Sequence, residues 1–352
     1  NLMLDRTKYI FFSNGQKGGV ATFINDHMNY LSQTKKDLLL IDNNPNKTYE
    51  NLNKKINLYK FDKNKKKLDR ILNTGNKKKI LFITNYAFLI WYYFILKNFR
   101  KRKNKIVLTI HSGLLTLKLK NYLAGLLFSM IYQNTDYLFF GSKSAKDWWK
   151  KKYPWMKIEN CKVFHNGIKT RKKQSIRKLG KKINISFAAN LEIENNPIFF
   201  LDICTMILKM KKNIVFNIFG MGSFFHKLKK CEEKNIIFHG WTKKNIIFKK
   251  TDLLVITSKV NNFPYAALEA KSYGIPVVSC SKGDIDKIIK NGKDGFVKHT
   301  NKPEIMIALI DKILKNYEFF SKNSYLRSFK FEVNKSCEKF WRKIKIENNN
   351  FR

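Results

Sequence analysis

The order of apolar runs predicts an α/β chain built from two tandem halves, each with a parallel sheet and helices on both faces. Three observations carry that expectation. Short runs rich in Ile, Val, Leu and Phe alternate with longer stretches of helical apolar spacing, as buried parallel strands alternate with their crossover helices. The alternation restarts after KTRKKQSIRKLGKK, a basic stretch of low hydrophobicity. At 352 residues the chain is long enough for two domains, each with its own core.

Taken in order, a strand at Tyr9 to Phe12 runs into a glycine-bearing loop and a helix on which Val20, Phe23 and Ile24 share a face. A strand at Leu38 to Ile41 precedes a polar, lysine-rich stretch. ILFIT, one aromatic helix and KIVLTIHSG form the next strand–helix–strand. A long amphipathic helix is expected from Leu114 toward Gln133, then strands at DYLFFGS and KVFHNGI. In the second half, strands INISFAA, IVFNIFG, NIIFHG, LLVITS and PVVSC are separated by helices, the first of them PIFFLDICTMILKM. FEVNKSCEKFWRKIKI reads as a C-terminal amphipathic helix.

Seventy basic residues against 26 acidic give 70 − 26 = +44. AT-rich coding explains Lys over Arg, but Glu is AT-coded too and is scarce. Anionic partners follow: lipid headgroups, sugar phosphates or nucleic acid. The cysteines Cys161, Cys204, Cys231, Cys280 and Cys337 are odd in number and lack CxxC spacing, which argues against a disulfide scaffold or a zinc site and suits a reducing compartment. The six histidines form no metal-ligand spacing, and no metal is expected. No secretory signal is evident at the start, so a cytoplasmic location is expected. The run ILFITNYAFLIWYYFIL, residues 80–96, falls just short of spanning length and is interrupted by Thr84 and Asn85. It reads as a strand followed by a buried or interfacial helix.

Residues 261–280, NNFPYAALEAKSYGIPVVSC, carry the most chemistry. Pro264 suits the first turn of a helix, where its missing N–H costs nothing. Ala266, Ala267 and Ala270 permit close packing on the sheet, and Gly274 suits the helix C-cap. The amides of Phe263, Pro264's neighbour Tyr265, Ala266 and Ala267 would face the crevice at the strand ends and bind phosphate oxygens. Glu269, one turn further in, would accept hydrogen bonds from two neighbouring sugar hydroxyls. A charge-assisted bond of this kind contributes about 1.5–3 kcal/mol. The competing reading is a solvated acid that favours the helix dipole.

This stretch resembles the EGFPxxxLEAMAxGxPVV signature of the retaining glycosyltransferases of family 4, which have the GT-B fold. Other segments match in the same order: QKGGVATFINDHMNYL, IVLTIHSG, KVFHNGIK, FAANLEIENNP, IVFNIFGMGS, NIIFHGW and GDIDKIIKNGKDGFV. The resemblance spans about residues 9–300. It implies two Rossmann-like domains facing each other across a cleft: residues 1–170 binding the acceptor, residues 171–330 binding a nucleotide-sugar, and a C-terminal helical segment, 331–352, packing back toward the first.

The implied reaction is metal-independent transfer of a hexosyl-type sugar, with retention, to a lipid-linked or surface-glycan acceptor, as in lipopolysaccharide or capsule assembly. No cofactor is implied; the nucleotide-sugar is a substrate. The implied catalytic residues are His111, Asn261 and Glu269. The implied donor site comprises Gly18, Gly19, Asn190, Asn195, Gly220, Gly222, Phe263, Pro264, Tyr265, Ala266, Ala267 and Glu269. His165 stands where the family has proline and reads as structural. The family grips the diphosphate with an arginine and a lysine where this chain has Asn190 and Asn195, and its first paired glutamate falls on Asn261. Lys17, Lys259 or Lys282 lie beside the relevant loops and could replace the missing cations. The alternative is a degenerate GT-B protein that binds glycan, lipid or nucleic acid without turnover. No RNA or DNA recognition motif appears, so nucleic acid is not the expected partner. The segments NYAFLIWYYFILKNFRKRKNK and KDWWKKKYPW suit an anionic bilayer at the inner face of the cell membrane.

Overall fold

Apolar strands without alternation can only be buried on both faces, and each half of the chain satisfies this with one parallel sheet covered by helices. The computed structural model describes residues 8–13, 18–34, 37–44, 49, 52–111, 119–171, 176–211 and 213–349, the side chains of 119–122 and 345–349 excepted. The chain divides into two units, Asn1–Asn166 with Asn334–Arg352, and Gly167–Val333.

In the first unit the order is β1 (Lys8–Phe12), α1 (Gly19–Ser32), β2 (Asp37–Asp42), β3 (Asn57–Lys60), α2 (Lys65–Asn73), β4 (Lys79–Ile83), α3 (Ala87–Trp91), α4 (Tyr93–Lys101), β5 (Lys105–Ile110), α5 (Leu119–Ile131), β6 (Tyr137–Phe140), α6 (Lys143–Lys152) and β7 (Lys162–Val163). The sheet order is β3-β2-β1-β4-β5-β6-β7, all parallel. Ile10, Phe11, Leu40, Leu81, Val107 and Leu108 at its centre are fully buried, each worth about 1.5–3 kcal/mol on leaving water.

The second unit continues with β8 (Ile183–Ala188), α7 (Pro197–Met210), β9 (Ile214–Phe219), α8 (Phe225–Lys229), β10 (Ile236–Gly240), α9 (Lys244–Lys249), β11 (Leu253–Ile256), β12 (Val260–Asn261), α10 (Tyr265–Ser272), β13 (Val277–Ser279), β14 (Lys282–Gly283), β15 (Gly295–Val297), α11 (Pro303–Lys315) and α12 (Tyr317–Ser328). Its main sheet runs β10-β9-β8-β11-β13-β15, with β12 and β14 paired apart. The last helix, α13 (Val333–Asn349), packs on the first sheet: Phe340 lies 4.6 Å from the Phe139 ring and Trp341 lies 5.6 Å from Tyr9.

Several elements depart from the sequence expectation. The lysine-rich stretch after β2 contains β3 and α2. β3 is an edge strand whose residues are mostly exposed, so its composition is polar. α2 is capped by Asn64, whose side chain accepts from the Lys67 N–H at 3.1 Å, and buries only Leu68, Leu72 and Asn73. The aromatic helix is broken in two at Tyr92, which leaves helical dihedrals. Pro264 is the N-cap of α10 rather than its first helical residue. Residues 112–118, where the helix before Gln133 was expected to begin, lie outside the described residues.

Candidate active site

The strand order reverses between β8 and β11, so the crevice for a ligand opens at their carboxyl ends. The loops leaving these two strands are tied together. Thr257 Oγ1 donates to the carbonyls of Asn195 and Asn196 at 2.9 and 3.0 Å. Ser258 Oγ donates to Asn195 Oδ1 at 2.9 Å, and Asn195 Nδ2 donates to the Asn190 carbonyl at 2.8 Å. The Asn195 amide thus joins its own loop to that of Ser258, while Asn190 is exposed.

Gly220 and Gly222 are required by a neighbouring loop. A Cβ on Gly220, at φ +135°, would lie 1.9 Å from the Ala189 carbonyl oxygen, and one on Gly222 would lie 2.5 Å from that of Leu191. The backbone they admit is bonded across: Leu191 N–H donates to Met221 O at 3.0 Å.

Asn261 lies on β12, opposite Gly283 of β14. Its Nδ2 donates to Ser281 Oγ at 3.1 Å. Phe263 follows with φ +63°, a costly conformation for a non-glycine residue, and its ring is buried 5.9 Å from that of Phe331. That turn aims the chain into α10. The helical ladder begins with Leu268 N–H on the Pro264 carbonyl at 3.5 Å, so the amides of Ala266 and Ala267 lie ahead of it. α10 ends in a Schellman turn: Gly274, at φ +69°, donates to Lys271 O at 2.9 Å and Ile275 to Ala270 O at 3.0 Å.

Glu269 sits in the second turn of α10 and is only 8% exposed. Its Oε1 lies 2.5 Å from Lys244 Nζ, at the start of α9. Burial raises the carboxyl above the ordinary glutamate range, and the Lys244 ammonium pulls the other way. Lys244 is about half exposed, so water screens the pair. Glu269 lines a cavity of about 490 Å³ with Lys244, Phe248, Tyr273 and Arg171, whose guanidinium stands 4.1 Å over the Tyr273 ring. None of the other expected donor residues lines this cavity. A buried carboxylate with one cationic partner keeps acceptor capacity for hydroxyls entering from the cavity.

Residues 168–327 match the family described as glycosyl transferases group 1. That match falls within the second unit. A "41.2 kDa protein in cps region" of Klebsiella pneumoniae is 23% identical over 162 residues, 43% of this chain and 44% of that protein. The UDP-Gal:alpha-D-GlcNAc-diphosphoundecaprenol alpha-1,3-galactosyltransferase of Escherichia coli is 28% identical over 151 residues, 39% of each chain. The chain therefore spans less than half the length of the curated relatives it matches. Among solved structures, HepE of Anabaena in complex with UDP-glucose has TM-score 0.77 at 14% identity, covering 96% of this chain and 99% of that one. That likeness shows the fold, GT-B, across both units.

The first unit holds the remaining expected residues. Gly18 caps α1 at φ +66°, ψ −136°, with Gly19 the first helical residue. Lys17 lies outside the described residues. His111 leaves the end of β5 with Nε2 3.2 Å from Thr109 Oγ1, its ring 4.8 Å from Phe23 and 5.4 Å from Phe164. Burial lowers the imidazole to about 4, so it is neutral at pH 7. Among the described residues, no group of three or more His, Cys, Asp or Glu side chains could hold a metal ion.

Sequence reasoning passed over Lys244, whose only local signal is its place after a strand. It also passed over Trp241, 72% exposed just after β10, beside Met221, 42% exposed after β9.

Proposed function

We propose that this chain transfers a hexosyl-type sugar from a nucleotide-sugar to a lipid-linked or surface-glycan acceptor, with retention of configuration and without a metal or cofactor. The observation that carries the reading is the buried Glu269 carboxylate, paired with Lys244 and opening on the cavity it shares with Phe248, Ser272 and Tyr273. There it would accept the ribose hydroxyls of the donor, while the Ala266 and Ala267 amides stabilise charge on the departing diphosphate. The bond from the anomeric carbon to diphosphate oxygen breaks, a bond to the acceptor oxygen forms, and the acceptor proton leaves with the diphosphate. Neutral His111 would hydrogen-bond the transferred sugar or the acceptor.

The Escherichia coli relative acts on a diphosphoundecaprenol-linked sugar and the Klebsiella relative comes from a cps region, which supports an acceptor of that class. The charge of +44 supports work at the anionic inner face of a membrane, peripherally bound. Among the described residues, no helix is long and apolar enough to cross a membrane.

A second reading, binding without turnover, draws on Asn195, whose amide is committed to Ser258 and Asn190 where the family has a cation for the diphosphate. Calorimetric titration with UDP, GDP and ADP, followed by a search for transfer from the matching nucleotide-sugars, decides between the two. Nucleotide binding lost in Glu269→Ala supports the proposed site, and turnover excludes the second reading. No binding of any nucleotide by the parent chain removes the proposal.

A further inference from the structure

The first unit leaves an apolar face uncovered. Residues 123–131 of helix α5 are apolar but for Gly125 and Ser129, which suits a helix with partners all round. Phe128 is buried against Tyr86 and Trp149, at 5.2 Å from each ring. Yet Leu123, Leu127 and Met130, at i, i+4 and i+7, form a stripe that is 48, 48 and 63% exposed. Helix α3 packs on α5 and leads into α4. These helices add Trp91 at 65% and Phe94 at 78% exposed. Beside α5, Trp155 is 55% exposed, with its indole N–H donating to Ser129 Oγ at 3.1 Å. Single exposed apolar residues are ordinary; six on adjacent elements are a patch.

The surrounding charge is mainly of one sign, the exposed Glu159 being paired with Lys150 at 3.0 Å. Residues 87–103, 119–134 and 150–158, which carry the patch, contain no Asp or Glu. Exposed Lys97, Lys101, Arg102 and Lys103 flank Phe94, and exposed Lys151 and Lys157 flank Trp155. The structure also sorts the aromatic segments expected to meet a bilayer. Trp149 is fully buried in the core and Trp148 partly buried, so neither belongs to the face.

We infer that α3, α4, α5 and the Trp155 turn form the surface on which this chain docks to an anionic lipid bilayer. The inference rests on the proposed lipid-linked acceptor and names the partner of that unit. Trp91, Phe94 and Trp155 insert at the headgroup level, the α5 stripe meets the acyl boundary, and the lysines neutralise lipid phosphates.

The test is co-sedimentation of the full chain with vesicles of phosphatidylcholine alone or mixed with phosphatidylglycerol. The parent should pellet with the mixed vesicles and stay in solution with the neutral ones. Trp91→Ser with Phe94→Ser should weaken partitioning about tenfold or more. Leu127→Ser with Met130→Ser should act alike, while Trp241→Ser, on the other unit, should not. Unaltered nucleotide titration in each variant shows that the fold and donor site survive, so loss of lipid binding is read apart from loss of the glycosyl transfer reading. Partitioning unchanged in both double variants overturns the assignment. So does a concentration-dependent dimer that these variants abolish without any lipid binding by the parent, which would give the face to a second copy.

Discussion

Lys244 Nζ and Glu269 Oε1 meet at 2.5 Å across the start of α9 and the second turn of α10. Burial and the ammonium push the carboxyl in opposite directions, and burial wins. A carboxyl raised in the fold adds stability below its unfolded value and loses it as pH rises through the folded value. Donor binding has the opposite sense, because only the ionised form accepts hydroxyls at both oxygens. Nucleotide affinity should therefore weaken on acidification at a pH above the ordinary glutamate range. Lys244→Met should move that limb to higher pH, and Glu269→Gln should remove it. Titrations at several pH values read all three.

Lys259 and Lys282 flank Asn261, with Lys282 N–H donating to Lys259 O at 3.1 Å, and both side chains are exposed. If they replace the family's diphosphate cations, the double change to Ala should weaken UDP binding about tenfold or more, and uridine binding much less. Equal effects on both ligands would remove that role.

Behind α10, Asp294 accepts from Lys271 and from Arg327 on α12, and both Lys271 and Asp294 are fully buried. Burial lowers the Lys271 ammonium to about 8. Asp294→Ala leaves a buried cation unpaired and should cost about 3–5 kcal/mol in denaturant unfolding. Lys271→Met, an apolar replacement, should cost less, because Asp294 keeps Arg327.

His27 is buried among Phe23, Phe82, Phe340 and Trp341, with no hydrogen-bond partner at Nδ1. Burial lowers it to about 3, and His111 adds to the shift. A depressed value stabilises the fold above the unfolded value of 6.5, and that contribution is lost as pH falls toward the folded one. Stability of the first unit should thus decline below pH 6.5 by about 1.4 kcal/mol per pH unit per histidine. His27→Phe should flatten that slope, measured by unfolding at pH 7 and pH 5.

Much of this was legible in the order of residues. Runs such as KYIFF, KIVLTI and IVFNIF cannot alternate with water on either face, so they had to be central parallel strands. The helix spacing between them required the α/β class, and the proline, alanines and glycine around Glu269 marked a strand-end helix. These are local periodicities, and local sterics and burial set them. Pairings between distant segments were not legible. Lys244 and Glu269 are 25 positions apart, and only the crossing of α9 and α10 joins them. The close approach of the Ala189 and Leu191 carbonyls to Gly220 and Gly222 was not legible either. Nor was the bonding of the Asn195 loop by Thr257 and Ser258 at the end of β11. Edge strand β3 and the uncovered stripe on α5 were hidden for the same reason. Composition records what a residue can do, while its neighbours across the fold decide whether it is buried, bonded or left facing outward.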